Sequence, residues 1–429
     1  MKGVIFSISR DKTNENDVLN ILQEGFYGIW QPPSKEWNVE EWNSAQAGTF
    51  ADYLTLLPGD KVFFFRDRMI YGIGELRVPK EIGGNTPALL NYPDSSYPNP
   101  TEPKEQDVIF AGSDWKRLRV VFPFVPGPII FRKGIDMDEA LGSPFAHFFW
   151  GLRFWQGYSF RQLGEEETRG LTEIFLRRFD DEREWLSPRR SEEEQLKKIK
   201  DNFHGVFSAR NLVTKHLGDY LDSDGTFKKE NWLHALIIEY LKENNPKWNE
   251  FLYDKNRKNV FREVPASPPK PPVWADSMDI LATSSHPKQK EVTTHYTVLE
   301  IKKDDVSVND PRQFNQIVTQ IMKYVEFLAK NYTEGNYGAI SAFYVAKSFS
   351  TQFMNFYEES LNVKPQEESK LTPIGRLYVL DPHEEKPVKV WNNLKLMEYS
   401  WDKKSNDLRL YPAKSPTDQG TIWKHFLNP

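Results

Sequence analysis

Short apolar runs separated by turns dominate the first part of the chain. The segment 3–9 alternates between apolar and polar positions, and the apolar runs 61–65 and 70–76 flank a short charged segment. Alternation with a period of two residues predicts β-strands, and two such runs so close together predict a β-hairpin. The pattern at 16–24 favours a helix, while the segment 80–105, rich in Pro, Asn, Ser and Gly, predicts a long surface loop.

Helical periodicity and charged residues replace this pattern after residue 165. Ser191 and Glu194 have the spacing of a capping box, in which each side chain accepts a hydrogen bond from the other residue's backbone amide at the start of a helix. We therefore expect a helical connector over 179–225. A Pro-rich segment at 265–272 predicts a rigid surface segment that leads into the region with the candidate chemistry.

The last part of the chain alternates predicted helices with apolar strands. The spacing of apolar residues predicts helices over 231–243 and from 313 to about 330. Strands are predicted at 273–282, 296–303, 339–346 and 376–380. These elements predict an α/β domain over 226–429, and the whole chain is predicted to be a multidomain α+β protein.

The composition is that of a folded protein with more than one domain. Hydrophobic residues make up 39% and aromatic residues 14% of the 429 residues, which is enough for two cores. A formal net charge of -5 provides no overall attraction to nucleic acid, so any such binding depends on local basic surfaces. Without a signal peptide or an apolar run of about 18 to 20 residues, we expect a cytoplasmic protein with no membrane span.

The chain contains no cysteine and eight histidines. The lack of cysteine excludes disulfides, thiol nucleophiles and Cys-ligated zinc, and no two histidines form a His-x-x-x-His pair. Carboxylates and histidines therefore remain as candidate metal ligands. The chain also lacks the phosphate-binding motif G-x-x-x-x-G-K-[ST], so ATP-driven movement along a polymer would require another subunit.

Two predicted strands carry acidic residues and a lysine at their polar ends. Because side chains alternate along a strand, Glu300 and Lys302 project from one face, and Leu299 and Ile301 project from the other. Asp279 lies in the preceding apolar strand and supplies a second carboxylate. Asp279, Glu300 and the carbonyl of Ile301 offer oxygen ligands to Mg²⁺, while Lys302 would orient a water and offset negative charge. The sequence therefore predicts hydrolysis of a phosphodiester.

Polar residues also recur on the helix that follows these strands. Gln316, Gln320 and Tyr324 are spaced four residues apart, so they share one face of the helix and could line the same cleft. The alternative is that they are polar residues at the boundary of an ordinary amphipathic helix.

These residues resemble the motifs of the PD-(D/E)XK nuclease superfamily. Asp279, Glu300-x-Lys302 and Gln320-x-x-x-Tyr324 look like its motifs, closest in style to its RecB-like and NucS-like branches. The resemblance implies a restriction-endonuclease-like α/β domain with a mixed central sheet over 226–429. It also implies Mg²⁺ as the cofactor, with Mn²⁺ as a possible substitute, and double-stranded DNA as the substrate.

An acidic residue on the helix before the strands completes the pattern in such families. Glu230 and Glu239 both match that place, and we favour Glu230 because its spacing to Leu233 resembles the NucS-like branch. Asp276 is an alternative to Asp279 as a metal ligand. The chain departs from the pattern because no proline directly precedes either aspartate.

The first 178 residues resemble the PUA-like superfamily, particularly its EVE-type domains. The string LPGDKVFFF at 57–65 followed by YGIGEL at 71–76 carries this resemblance. It implies a small β-barrel over 1–178 that reads DNA, with a pocket that takes up a nucleobase, often a modified one, flipped out of the duplex.

Aromatic side chains in this region could stack on such a base. The candidates are Tyr27, Trp30, Trp37, Trp42 and Phe50. The alternative is that these rings pack the interior of the domain. A set of basic residues either contacts DNA phosphates or forms an ordinary solvated strand face: Lys116, Arg117, Arg119, Arg132 and Lys133.

Together these features predict a Mg²⁺-dependent DNA endonuclease of the host-defence kind, with a modification-dependent restriction enzyme as its sharpest form. One active centre per chain and two strands to cut favour a homodimer. Two alternatives remain open at the level of sequence. One is a NucS-like repair or structure-specific nuclease, and the other is a catalytically silent nucleic-acid-binding protein.

Overall fold

The structure is a computed structural model, and it describes residues 2–8, 15–30, 44–78, 87, 89–90, 118–153, 160–195, 197, 205–206, 208–215, 217–243, 257–266, 276–285, 294–362, 378–380, 387–389 and 394–413. The chain divides into two compact units, residues 1–208 and residues 209–429, which we call unit 1 and unit 2. The boundary lies inside 179–225, so the segment that we expected to form a connector is divided between the two units.

Unit 1 combines short strands with helices. The strands are β1 (Gly3–Ser7), β2 (Phe26–Trp30), β3 (Lys61–Arg66), β4 (Met69–Leu76), β5 (Leu89–Leu90), β6 (Leu118–Pro126), β7 (Ile130–Phe131), β8 (Ile135–Asp136), β9 (Phe160–Leu163), β10 (Trp185–Leu186) and β11 (Gly205–Val206). The helices are α1 (Glu15–Glu24), α2 (Ser44–Leu54), α3 (Met137–Gly142), α4 (Trp150–Arg153) and α5 (Glu165–Arg178).

Nine of the described strands of unit 1 form one mixed sheet. Its order is β11-β5-β6-β4-β3-β1-β9, with β2 also paired to β6 and β8 to β4. The predicted hairpin is confirmed, because β3 and β4 pair antiparallel. No closed barrel is found among the described strands, and the barrel remains a prediction. The end strands β9 and β11 each pair with one neighbour, β1 and β5, so the sheet is not closed. The PUA-like identity of unit 1 remains a prediction.

Aromatic rings fill one side of this sheet. Phe6 stacks on Tyr27 with ring centroids 4.3 Å apart and also meets Phe122 at 5.0 Å. A Cβ added at Gly74 would lie only 2.6 Å from the ring of Phe124. The second glycine of the Gly-Ile-Gly string therefore makes room for a ring of the neighbouring strand.

Glutamate side chains cap two helices in unit 1. The predicted box at Ser191 is confirmed, because its amide donates to Glu194 Oε2 at 2.8 Å and the Glu194 amide donates to Ser191 Oγ at 3.2 Å. At the start of α5, the buried Glu167 accepts hydrogen bonds from the amides of Gly151 and Gly164 at 2.5 and 3.0 Å. Burial raises the pKa of the Glu167 carboxyl to about 7.

Unit 2 contains longer strands. They are β12 (Arg257–Pro265), β13 (Ser277–Ser285), β14 (Thr294–Ile301), β15 (Ile340–Ala346), β16 (Tyr378–Leu380), β17 (Pro387–Lys389), β18 (Leu394–Asp402) and β19 (Asp407–Pro412). The described helices are α6 (Ala209–Lys215), α7 (Leu217–Tyr220), α8 (Glu230–Lys242), α9 (Pro311–Tyr332) and α10 (Thr351–Asn362).

A six-stranded mixed sheet organises unit 2, with the order β12-β13-β14-β15-β18-β19. β14, β15 and β18 run parallel, while β12, β13 and β19 pair antiparallel with their neighbours. The expected mixed α/β architecture is confirmed. The restriction-endonuclease-like identity of the sheet remains a prediction.

Helices α8 and α9 both pack on this sheet. The amphipathic α9 packs its apolar side on β14 and β15, and Phe314, Val318 and Leu328 lie in the core that they share. α8 contacts β12 and β13, and its residues 232–241 are all buried. Within the described ranges, none of the helices has both the length and the apolarity of a membrane span.

Candidate active site

The pairing of β13 with β14 brings the predicted acidic residues together. Ile280 lies opposite Leu299, so the start of β13, with Asp279, meets the end of β14, with Glu300 and Ile301. The amide of Ile301 donates to Asp279 Oδ2 at 2.7 Å, which fixes that carboxylate against β14. The antiparallel register therefore brings Asp279 close to Glu300 and Ile301, as the sequence pattern predicted.

Lys302 lies at the centre of the cluster. Its Nζ is 3.0 Å from Glu300 Oε1, 3.9 Å from Asp279 Oδ2 and 4.0 Å from Glu230 Oε1. The structure therefore gathers the four side chains that we predicted from the sequence. Three carboxylates and one ammonium leave a formal charge of −2, which matches the charge of one divalent cation.

Glu230 reaches the cluster because it is the first residue of α8. Its Oε2 accepts a hydrogen bond from the amide of Lys303 at 3.2 Å. Glu239, the alternative helix acid, instead accepts from the amide of Arg210 at 2.8 Å, at the start of α6. Asp276 is exposed and precedes β13. Glu230 and Asp279, not their alternatives, thus join Glu300 and Lys302.

The carboxylates of the cluster are costly to bury without a cation. The Glu300 side chain is 4% exposed and that of Asp279 is 15% exposed. Burial raises the pKa of both carboxyls, and the charge of Lys302 opposes the shift. Burial lowers the pKa of Lys302, but the three surrounding carboxylates outweigh it and raise that pKa overall. Lys302 is therefore charged, and the three carboxylates share its positive charge.

Glu300 also carries an oxygen with no partner. Its Oε2 is buried and accepts no hydrogen bond from any described residue. A buried carboxylate oxygen normally has hydrogen-bond partners or binds a cation. This orphaned oxygen, together with Asp279 on the neighbouring strand and the carbonyl of Ile301, fits the set of hard oxygen ligands that Mg²⁺ and Mn²⁺ accept.

His234 is a member of the site that we did not predict. It lies one helical turn after Glu230 on α8 and is 2% exposed. Its Nε2 is 4.0 Å from both Glu230 Oε1 and Asp279 Oδ2, and each of the three side chains has a possible ligand atom within 4.8 Å of the others. The four-residue spacing between Glu230 and His234 was a usable signal, since it places the two on one helix face.

Gln320 and Tyr324 lie beside the cluster on α9. Gln320 Nε2 donates to the hydroxyl of Tyr324 at 2.7 Å. Burial and the negative charge of Glu300 raise the pKa of the buried Tyr324 hydroxyl. Tyr324 is thus close enough to the carboxylates to respond to their charge, while Gln316 is exposed one turn earlier.

The aromatic residues that we predicted to read bases lie in unit 1. Tyr27 stacks on Phe6, and its hydroxyl donates to the carbonyl of Ser7 at 3.1 Å, so its ring belongs to the interior. Phe50 is also buried, 7% exposed. The backbone of Trp30 belongs to β2, but its side chain lies outside the described residues, as do Trp37 and Trp42 entirely.

The predicted basic residues of unit 1 are only partly described. Arg132 and Lys133 are exposed, and Lys133 pairs with Glu184 at 2.9 Å. The side chain of Arg119 and all of Lys116 and Arg117 lie outside the described residues. Of the predicted set, Arg132 and Lys133 are the two whose side chains the structure describes, and both face solvent.

We compared the chain with protein-family profiles, curated proteins and solved structures. None of the three comparisons gave a match. The interpretation of the site therefore depends on its own residues and their geometry.

Proposed function

We propose that this chain is a metal-dependent endodeoxyribonuclease whose active site contains Asp279, Glu300 and Lys302. The observation that supports it best is the orphaned, buried Oε2 of Glu300 beside Asp279, on two paired strands, with Lys302 Nζ 3.0 Å from the other Glu300 oxygen. The cluster has a formal net charge of −2. Its carboxylates can bind a cation, and the Lys302 ammonium can contact a phosphodiester.

In this proposal, Asp279, Glu300 and the carbonyl of Ile301 hold Mg²⁺, or Mn²⁺ in its place. When bound, the cation supplies Lewis acidity to the phosphodiester. Lys302 orients the attacking water and offsets the negative charge that develops on the phosphoryl oxygens. Glu230, with its Oε1 4.0 Å from the Lys302 Nζ, helps to hold that ammonium in place.

The proposed substrate is double-stranded DNA, modified or unmodified. Its support is the resemblance of Asp279, Glu300, Lys302 and the Gln320–Tyr324 pair to PD-(D/E)XK nucleases. We propose a role in host defence, in the cytoplasm, with unit 1 as the reader of a modified base. A homodimer would supply one active centre for each strand.

Nicking of supercoiled plasmid by the purified chain tests the activity. We expect relaxed plasmid with Mg²⁺ or Mn²⁺ and none with EDTA. Lys302→Ala should lower the rate on the order of 100-fold or more, because it removes a charge aimed at the transition state. Lys330→Ala, an exposed lysine near the end of α9, is the matched control. Equal rates for Lys302→Ala and the parent would contradict the role of Lys302.

A panel of duplexes tests the substrate class. Methylated, unmodified and mismatched duplexes of one sequence are compared under the same conditions. A modification-dependent enzyme cuts the methylated duplex fastest, whereas preference for the mismatched duplex would favour a repair or structure-specific nuclease. Binding of all three without any cleavage would favour a silent binding protein.

A further inference from the structure

Four side chains of the site form a ring of alternating acceptors and donors. Glu230 Oε1 lies 4.0 Å from both His234 Nε2 and Lys302 Nζ. Asp279 Oδ2 lies 4.0 Å from His234 Nε2 and 3.9 Å from Lys302 Nζ. Every edge of the ring is longer than a hydrogen bond. The four groups therefore surround a space instead of bonding to one another.

The position of the proton on His234 follows from its partner. Arg262 Nε donates a hydrogen bond to His234 Nδ1 at 3.3 Å, and a guanidinium can only donate. An imidazole that accepts at one ring nitrogen carries its proton on the other. His234 Nε2 is therefore an N–H group that faces Glu230 and Asp279.

The guanidinium of Arg262 is itself held in place. It donates to Asn231 Oδ1 at 2.7 Å and to Glu263 Oε1 at 2.9 Å. Its side chain is 6% exposed, so Arg262 has little freedom to turn away from His234. The backbone of Glu263 adopts a φ of 51°, a left-handed conformation in β12 beside this contact.

A cation fits poorly at His234 Nε2. A histidine that binds a metal uses an unprotonated nitrogen, and its other nitrogen usually donates to a carboxylate or a carbonyl. Here the other nitrogen accepts from the positive Arg262, and the positive Lys302 borders the same space. Both features favour an oxygen atom over a cation between Glu230 and Asp279.

We propose that this ring binds a water molecule, and that His234 donates a hydrogen bond to it instead of binding the metal. Since neighbouring corners lie 3.9–4.0 Å apart, a water between them can lie about 2.8 Å from each, a normal hydrogen-bond distance. A water there accepts from His234 and Lys302 and donates to Glu230 and Asp279, so both its lone pairs and both its protons are used.

A role for this water in hydrolysis rests on the proposed function. In the nuclease, the water lies beside Asp279, the acid proposed to bind the cation on its other side. His234 is then a water-binding residue, and Arg262 is a positioning residue that acts through the tautomer of His234. The hydrogen bonds themselves do not depend on whether the chain cuts DNA.

Nuclear magnetic resonance of the full chain labelled with ¹⁵N-histidine tests the tautomer. Long-range ¹H–¹⁵N spectra distinguish a ring protonated at Nε2 from one protonated at Nδ1, and His234→Gln identifies the signal of His234. We expect His234 to carry its proton on Nε2 in the metal-free protein. A proton on Nδ1 would overturn the inference without needing any further variant.

The role of Arg262 is tested in the same spectra. Arg262→Met removes the donor but keeps an unbranched chain, so the Nδ1-protonated form of His234 should become populated. Arg262→Lys, which keeps the charge but changes the donor geometry, should shift the signal less. A His234 signal identical in the parent and in Arg262→Met would overturn the positioning role.

Titration calorimetry with Mn²⁺ tests whether His234 is a ligand. In His234→Gln the amide keeps an N–H donor near the same place but offers no ring nitrogen, so we expect Mn²⁺ affinity within tenfold of the parent. A loss of tenfold or more would overturn the inference, because changes around a metal site typically cost 10- to 100-fold. Glu300→Gln is the positive control for a lost ligand. The titration uses no DNA, so a chain that fails to cut plasmid leaves this result intact.

Discussion

Burial of the Glu300 carboxylate costs folding free energy, and the same carboxylate is proposed to bind the cation. Its carboxylate is buried at the end of β14, with one oxygen on Lys302 and the other without a hydrogen-bond partner among the described residues. A partly satisfied buried acid destabilises a fold, and such costs are common where a protein binds a ligand or performs catalysis.

Replacing Glu300 with glutamine should stabilise the metal-free protein above neutral pH. Because burial raises the pKa of the Glu300 carboxyl, the folded state holds its proton more tightly than the unfolded state. The free energy of unfolding therefore falls as pH rises from the ordinary carboxyl range through the raised pKa. Glu300→Gln lacks this titration, and we expect a gain on the order of 1 kcal/mol at pH 8.

Urea unfolding in EDTA from pH 5 to pH 8 measures this effect. Glu326→Gln, an exposed acid on α9, is the control and should follow the parent. A steeper loss of stability with pH in Glu300→Gln than in the parent would contradict the explanation.

The sequence predicted part of this site because its signals are local. Glu300 lies in β14 and Lys302 directly follows that strand, two residues later, and Asp279 is in the strand beside it. The contact between His234 and Arg262 was missed because it joins residues 28 apart on α8 and β12. Only the packing of that helix on that strand creates it.

Among the helices and strands, those with strong apolar periodicity were predicted most reliably from the sequence. The predicted helix from 313 to about 330 corresponds to α9 (Pro311–Tyr332), and the predicted run 339–346 corresponds to β15 (Ile340–Ala346). β12 was not predicted. Six of its nine residues are charged, amide-bearing or proline, and the left-handed backbone of Glu263 interrupts it. Its place at the sheet edge depends on pairing with β13, which local pattern does not encode.

The start of α9 provides a test at this scale. Asp310 caps the helix, since its Oδ1 accepts from the amides of Arg312 and Gln313 at 2.8 and 3.0 Å. Asp310→Ala should lower the free energy of unfolding by about 1 kcal/mol, because two helix amides lose their acceptor. Thr319→Ala, exposed on the same helix, is the control. Unchanged stability in Asp310→Ala, measured by urea unfolding, would contradict the role of the cap.

At the scale of the molecule, the chain forms two units with a boundary that composition alone did not locate. Charge and helical pattern predicted a separate connector over 179–225, and the division of the chain into two units falls within it, between residues 208 and 209. The barrel expected for unit 1 is not found in its described strands, because a Gly-Asp turn and aromatic strands fit an open sheet equally well. Sheet closure depends on which distant strands pair.

Unit 2 contains the complete candidate site and its own core, so it should work alone. We expect a fragment of residues 209–429 to unfold cooperatively and to bind Mn²⁺ as tightly as the full chain. Any preference for modified DNA should be lost with unit 1. Circular dichroism and calorimetry measure the first two properties. A fragment that is unfolded, or folded but unable to bind Mn²⁺, would contradict the independence of unit 2.

Anomalous diffraction from crystals of the full chain grown with Mn²⁺ tests the metal centre most directly. We predict an anomalous peak in contact with carboxylate oxygens of Asp279 and Glu300 and the carbonyl of Ile301, with Lys302 beside it. Crystals that contain millimolar Mn²⁺ but show no peak between these groups would contradict the proposed active site.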